Sequence, residues 1–271
     1  MSKVWFITGT STGFGRQFVE QLLQTTEDRV IATARKLEAI QDFKSIAPDR
    51  VSLISLDVTN KEQIKTAVQE AVDTFGRIDV VVNNAGYGLY GMIEEYSDEQ
   101  IRKQFDVNVF GVLDVIRATL PIFKNQNSGH YVNLSSFFGT WSMPPFSLYA
   151  ASKFAVEGFS EAMASELAGF GIRTTIVEPA VFATDFLGHS LEHTDRKPEY
   201  DSVYAAYNEG ISSLTIGDPV KAVKTIIDMI NSENPPLHFP VGSFASHSIR
   251  NAFSKRIEEI NAWEKLSSEA D

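Results

Sequence analysis

Tyr149 and Lys153 stand four residues apart in Ser147-Leu148-Tyr149-Ala150-Ala151-Ser152-Lys153. On a helix this spacing puts both side chains on one face. An ammonium beside a phenol favours the phenolate and lowers the tyrosine pKa from its usual value of about 10. A phenol tuned in this way can protonate a developing alkoxide or take a proton from an alcohol. Such a pair is common on ordinary surface helices, so its meaning depends on what else the chain carries. Near the N-terminus runs Gly9-Thr10-Ser11-Thr12-Gly13-Phe14-Gly15. Glycines in this arrangement let the backbone turn tightly and approach a ligand that a side chain would block. A helix starting just beyond would direct free N–H groups and its positive dipole end at a pyrophosphate. The spacing is G-x-x-x-G-x-G, not the commoner G-x-G-x-x-G, so its position after a buried strand carries the nucleotide reading.

The elements that must position these residues follow from periodicity. Short β-branched runs (Val4–Thr8, Arg29–Ala34, Val51–Leu56, Val80–Val82, His130–Leu134 and Thr174–Val177) alternate with helical patterns. The helical patterns lie near Arg16–Gln24, Lys61–Phe75, Asp98–Phe123 and Leu148–Ala168. Several strand runs are continuously apolar, as in strands covered on both faces. The alternation predicts an α/β fold, a Rossmann-type doubly wound parallel sheet flanked by helices. Asn60, and Ser97 with Gln100, read as helix caps. From about 184 to 214 the text turns polar and aromatic, with His189, His193, Tyr200, Tyr204 and Tyr207, and predicts an irregular excursion on the substrate side. His189 and His193 have no evident third ligand, so no metal is expected. Gly217-Asp218-Pro219 opens a further helix, an apolar run covers Leu237–Val241, and a last amphipathic helix spans about 244–266. That helix is expected to pack on the domain or on a partner subunit. No linker or repeat interrupts residues 1–271, which read as a single NAD(P)-binding domain.

Composition narrows the class. The chain has 271 residues, with 24 basic against 35 acidic side chains and a net charge of −11. That balance argues against general nucleic-acid binding. With no cysteine, disulfides, thiol nucleophiles and zinc–thiolate sites are excluded. Apolar residues at 43% exclude whole-chain disorder. No apolar stretch approaches the roughly 18 residues of a membrane span. There is no cleavable signal pattern, so a cytoplasmic location is expected.

The second strand ends Ile31-Ala32-Thr33-Ala34-Arg35-Lys36. In a dinucleotide fold an acid at this place binds the adenosine ribose diol, whereas an arginine accommodates a 2′-phosphate. Arg35 without a neighbouring carboxylate favours NADP(H) over NAD(H), and Ser11 could add a hydroxyl donor. The plainer alternative is that Arg35 and Lys36 are a solvated helix start.

With the glycine loop, Asn83-Asn84-Ala85-Gly86, Ser135-Ser136 and Tyr149 with Lys153 all present in order, residues 3–185 resemble the compact form of the short-chain dehydrogenase/reductase family. The stretch Tyr149–Gly158 is similar to its hydroxysteroid- and retinol-dehydrogenase-like branch. The resemblance implies that Tyr149 exchanges the proton at the substrate oxygen and that Lys153 holds the nicotinamide ribose and tunes the tyrosine. It implies that Ser136 bonds the substrate oxygen and that Asn108 anchors a proton-relay water. Gly9, Ser11, Gly13, Phe14 and Gly15 would meet the pyrophosphate, Arg35 the 2′-phosphate, and Asp57 and Val58 the adenine. Asn84, Ala85 and Gly86 would lie by the adenosine ribose, and Phe182 and Thr184 by the nicotinamide carboxamide. The family's usual Pro-Gly is Pro179-Ala180 here, which leaves that backbone path open. Tyr87, Leu89, Tyr90, Phe137, Phe138, Trp141, Met143, Phe182, Phe186 and Leu187 are apolar pocket candidates that favour a bulky hydrophobic carbonyl or alcohol. A homodimer or homotetramer through helices Asp98–Phe123 and Leu148–Ala168 is also implied. The rival readings are an NAD-linked alcohol dehydrogenase, an isomerase or dehydratase on the same fold, and a catalytically silent dinucleotide sensor.

Overall fold

In the computed structural model, which describes residues 2–188, 190–212 and 214–270, the six β-branched runs and the apolar run at Leu237–Val241 become strands, and two short unpredicted ones, Gly88–Tyr90 and Leu191–His193, are added. They are β1 (Val4–Ile7), β2 (Arg29–Ala34), β3 (Val51–Ser55), β4 (Val80–Asn83), β5 (Gly88–Tyr90), β6 (Gly129–Leu134), β7 (Ile172–Pro179), β8 (Leu191–His193) and β9 (His238–Val241). Seven form one sheet in the order β3-β2-β1-β4-β6-β7-β9, and every pairing is parallel. The helices are α1 (Gly13–Thr25), α2 (Lys61–Phe75), α3 (Asp98–Phe105), α4 (Gly111–Gln126), α5 (Ser147–Leu167), α6 (Asp201–Ser212), α7 (Pro219–Ile230) and α8 (Ser243–Ser267).

Alternation along the strands divides the core between two faces. Trp5 and Ile7 of β1 join Val30, Val80 and Val132 against α1 and α7, through Phe18, Leu22, Val223 and Ile226. Val4 and Phe6 point the other way, with Val81 and Tyr131, against α2, α4 and α5. This is the doubly wound single-domain α/β architecture the sequence predicts. Asn60 caps α2, its side-chain oxygen accepting from the Glu62 and Gln63 amides at 3.1 Å each. Ser97 and Gln100 form a reciprocal capping box on α3.

Two expectations need correction. The single helix expected over Asp98–Phe123 is divided by a π-type turn at Asp106–Phe110 between α3 and α4. The turn carries Asn108, whose side chain is committed to the backbone of Tyr87 rather than to its own helix. The excursion is not irregular: it contains β8, paired in parallel with β5, and α6. His189 lies outside the described residues, so its pairing with His193 is not seen. The last helix, α8, packs on the domain through its first turns, at Ala245 and Ile249, as expected in part, while Phe253, Ile257, Ile260, Trp263 and Leu266 are exposed. No helix among the described residues is long and apolar enough to cross a membrane.

Phe123 is fully buried where α4 meets β6, its ring centroid 4.8 Å from that of Tyr131. Phe123→Ala is expected to lower unfolding stability by about 3–5 kcal/mol, measured by urea denaturation.

Candidate active site

The carboxyl ends of the central strands meet a cavity of about 730 Å³. Its first wall is the glycine loop between β1 and α1. Gly9 and Gly13 take φ values of +69° and +56°, a region open to glycine at little cost. A side chain at Gly9 would begin 2.9 Å from the Ala85 Cα. Gly15 does not line the cavity; it lets the helix start seat against the Gly9 carbonyl and the Asn84 amide. Thr12 makes no side-chain cap on α1, so its hydroxyl does not occupy the first-turn N–H groups. A loop closed to side chains over an uncapped helix start fits a pyrophosphate.

Ser11, Phe14, Arg35, Asp57, Val58, Asn84, Ala85, Gly86, Phe182 and Thr184 also line the cavity. Several have structural duties as well. The Asp57 Oδ1 accepts from the Thr59 amide and hydroxyl at 2.9 and 2.7 Å. The Asn84 amide donates to the carbonyls of Thr8 and Gly9 at 2.8 and 3.0 Å, pinning the glycine loop. Asn83 bonds across to Asn133 of β6 at 2.8 Å. The Phe182 ring packs edge-on against Phe14, and its residue bridges to Gly217. Ala180 donates to Val241 at 3.0 Å, continuing the β7–β9 ladder. Among described non-glycine residues only Asn127 has a positive φ, so Ala180 holds its place without left-handed backbone.

At the other end of the cavity, β6 and α5 bring Ser136, Tyr149 and Lys153 together. All three are buried. The Ser136 oxygen accepts from the Phe138 amide at 3.1 Å. Lys153 Nζ donates to the Leu134 carbonyl at 2.7 Å and lies 5.7 Å from the Tyr149 ring centroid. Burial lowers the Lys153 pKa to about 8, with Glu157 pulling it back up. The expected depression of Tyr149 is not what this geometry produces. Burial raises the phenol above its ordinary value, and the neighbouring Ser136 hydroxyl pulls the other way. The reason is that the lysine is turned to the Leu134 carbonyl and the phenol sits among Phe138, Phe146 and Phe186. Asn108 stands behind the cavity. Its oxygen accepts from the Tyr87 amide at 3.1 Å, and its nitrogen donates to the Tyr87 carbonyl and the Ser152 hydroxyl at 2.9 and 3.2 Å.

The substrate side is aromatic. Tyr87, Phe137, Phe138, Trp141, Met143 and Phe186 line it as expected, whereas Leu89 and Tyr90 are buried outside the lining. Sequence reasoning missed Phe146, Ala206, Tyr207, Ile211 and Phe244, which also line it. The spacing of Tyr204, Tyr207 and Ile211 at i, i+3 and i+7 was the available signal for α6. The α6 cap is tied down by Glu95. Its carboxylate accepts from the amides of Met92 and Lys197 at 2.8 Å each and from the hydroxyls of Thr194, at 3.2 Å, and Tyr204. Burial pushes Glu95 up, but these donors outweigh it and hold the carboxyl at about 2.

A parallel doubly wound sheet with such a loop at its carboxyl edge is a nucleotide-binding architecture. The chain belongs to the short chain dehydrogenase family, whose model matches residues 3–195. Over 271 residues, 98% of each chain, it is 36% identical to Oxidoreductase BOA17 of Botryotinia fuckeliana. A crystal structure of a short-chain dehydrogenase from Streptomyces avermitilis superposes with a TM-score of 0.93 at 38% identity, covering 100% of both chains. ElxO with NADP bound superposes with a TM-score of 0.75 at 27% identity, over 89% of this chain and 97% of that one. Solved neighbours of this fold hold NADP in some cases and NAD in others. The protein is an NAD(P)-dependent dehydrogenase or reductase.

Glu95→Ala should loosen the α6 cap while leaving the glycine loop intact. Steady-state kinetics should show KM for the carbonyl substrate raised about tenfold, the effect of losing charge-assisted hydrogen bonds of this kind. Cofactor Kd, from fluorescence titration, should be unchanged.

Proposed function

We propose that the protein reduces a bulky hydrophobic ketone or aldehyde, or oxidises the corresponding alcohol, with NADP(H). The observation that carries this reading is one continuous cavity. Its walls run from the glycine loop and Arg35 to Ser136, Tyr149 and Lys153 under an aromatic roof. A bound nicotinamide supplies the hydride for reduction and accepts it in oxidation. Ser136 and Tyr149 hydrogen-bond the carbonyl oxygen and orient it. As negative charge develops there, Tyr149 gives its phenolic proton to that oxygen, and Ser136 stabilises the charge. Lys153, positively charged and one helical turn on, eases the loss of that proton and holds the ribose of the cofactor. Asn108 fixes the Tyr87 backbone and the Ser152 hydroxyl behind Lys153, and so positions the site rather than touching substrate.

The substrate class follows from the walls. Phe137, Phe138, Phe146, Tyr207 and Phe244 offer apolar surface, and Ser136 and Tyr149 supply polar groups that converge on one oxygen. The 2′-phosphate preference rests on Arg35, which lines the cavity at the end of β2 beside Ala34, with no carboxylate next to it in sequence. Phe110 and Phe154 are exposed on the α4–α5 side, which supports a homo-oligomeric assembly across that face.

Two measurements test the reading. With NADPH and a panel of hydrophobic ketones and aldehydes, absorbance decay should show turnover. Tyr149→Phe should reduce kcat by about 10²–10⁴-fold while cofactor binding persists. Binding of NADPH with no turnover across the panel would favour the silent sensor. Arg35→Asp should shift the NADPH-to-NADH ratio of kcat/KM by about tenfold or more toward NADH. An unmoved ratio would remove Arg35 from the 2′-phosphate.

A further inference from the structure

Away from the cofactor cavity, the edge of the sheet brings two buried carboxylates to an imidazole. β9 lies beside β7 with His238 opposite Ile176. Glu178 is two residues further along β7 and so faces the same side. α5 packs over β7 and contributes Glu157 and, one turn later, Glu161. His238 Nδ1 is 3.4 Å from Glu157 Oε2 and 3.8 Å from Glu178 Oε1, and one donor atom from each of the three lies within 4.8 Å of the others. None of the three lines the cofactor cavity.

Both acids are deeply buried, Glu157 at 6% and Glu178 at 2% exposure. No well-formed hydrogen bond reaches either oxygen of Glu157 or Oε2 of Glu178 among the described residues, although the Ser135 hydroxyl lies near enough to Glu157 to favour its charged form. Lys153 attracts Glu157 from one turn back on α5, but its ammonium donates to Leu134. Two carboxylates side by side in a dry interior are costly unless they take up protons, the direction in which burial drives both, or a cation comes between them. Glu161 Oε1 stands 3.5 Å from His238 Nε2, which favours the tautomer with its proton there and turns the Nδ1 lone pair toward the two buried acids. A carboxylate on the far nitrogen of a histidine is the usual outer partner of a metal-bound imidazole.

We propose that Glu157, Glu178 and His238 bind one divalent first-row cation, with Glu161 orienting the imidazole. One nitrogen with two carboxylates suits Mn²⁺ or Zn²⁺ better than Mg²⁺ or Ca²⁺, which prefer all-oxygen sites. Metal–ligand bonds of about 2.1 Å put neighbouring ligand atoms about 3.4 Å apart, close to the separations from Nδ1. The partly exposed His238, at 39% for its side chain, gives the ion its entry and room for water to complete the shell. The bound cation ties α5 and β7 to the edge strand β9.

The test uses untagged full-length protein stripped with a chelator and then exposed to Mn²⁺, Zn²⁺ or Mg²⁺. Bound metal is counted by mass spectrometry and Tm followed by calorimetry. One equivalent of Mn²⁺ or Zn²⁺ per chain is expected, with a rise in Tm of roughly 5 °C at saturation and little response to Mg²⁺. Glu178→Gln should abolish both effects, as should His238→Gln, whose exposed position spares the core if the first variant folds poorly. Glu161→Gln should weaken affinity by about 10–100-fold with stoichiometry unchanged. Metal-independent Tm in the native chain, as when an imidazolium alone bridges the acids, overturns the site. So does undiminished binding in Glu178→Gln.

Discussion

The ends of β1 and β4 approach so closely that the chain between them has almost no freedom. The Thr8 hydroxyl accepts from the amides of Asn84 and Ala85 at 3.0 and 2.9 Å. Asn84 returns two bonds to the carbonyls of Thr8 and Gly9, and Gly9 lies against Ala85 with no room for a side chain. This knot sets where the glycine loop begins, hence where α1 points its N-terminus. On the other side it sets where Gly86 and Tyr87 leave the sheet. Asn108 then fastens the Tyr87 backbone to Ser152 of α5, so the helix carrying Tyr149 and Lys153 is registered against the same junction. The two ends of the cavity are thus held by one continuous set of backbone and amide hydrogen bonds.

Burial has opposing effects on the groups at the far end. It raises the Tyr149 phenol and lowers the Lys153 ammonium, so the apolar walls that suit a hydrophobic substrate work against the charged forms of both. The Leu134 carbonyl on Lys153 and the Ser136 hydroxyl on Tyr149 are the local answers. A low-dielectric site makes each of those fixed dipoles count for more than it would in water.

The parallel sheet and the residues around both ends of the cavity were legible because they rest on local signals. Apolar runs such as Val80–Val82, the glycine spacing and the Tyr149–Lys153 pair all act within a few residues. What escaped the sequence depends on partners far away in the chain. At the π-type turn the Asn108 side chain bonds Tyr87, about twenty residues earlier, and not its own helix. The order in β8 and α6 comes from pairing with β5 and from Glu95, about a hundred residues earlier. Likewise, Glu157, Glu178 and His238 show no ligand-like spacing and meet only when β9 joins β7. The direction of the tyrosine shift was misjudged for a related reason, since spacing reveals a neighbour but not where its ammonium is turned.

The parallel pairing of β5 with β8 has a consequence for how the protein comes into being. Parallel neighbours need a crossover, and this one contains β6, α5 and β7, the centre of the catalytic end. Closing so long a loop is entropically unfavourable until the intervening chain is already compact. The roof over the substrate is therefore expected to be among the last parts to assemble during folding. The pyrophosphate and adenine end of the cavity, drawn from the first hundred residues, does not wait on that crossover, whereas the nicotinamide end, with Lys153, Phe182 and Thr184, does.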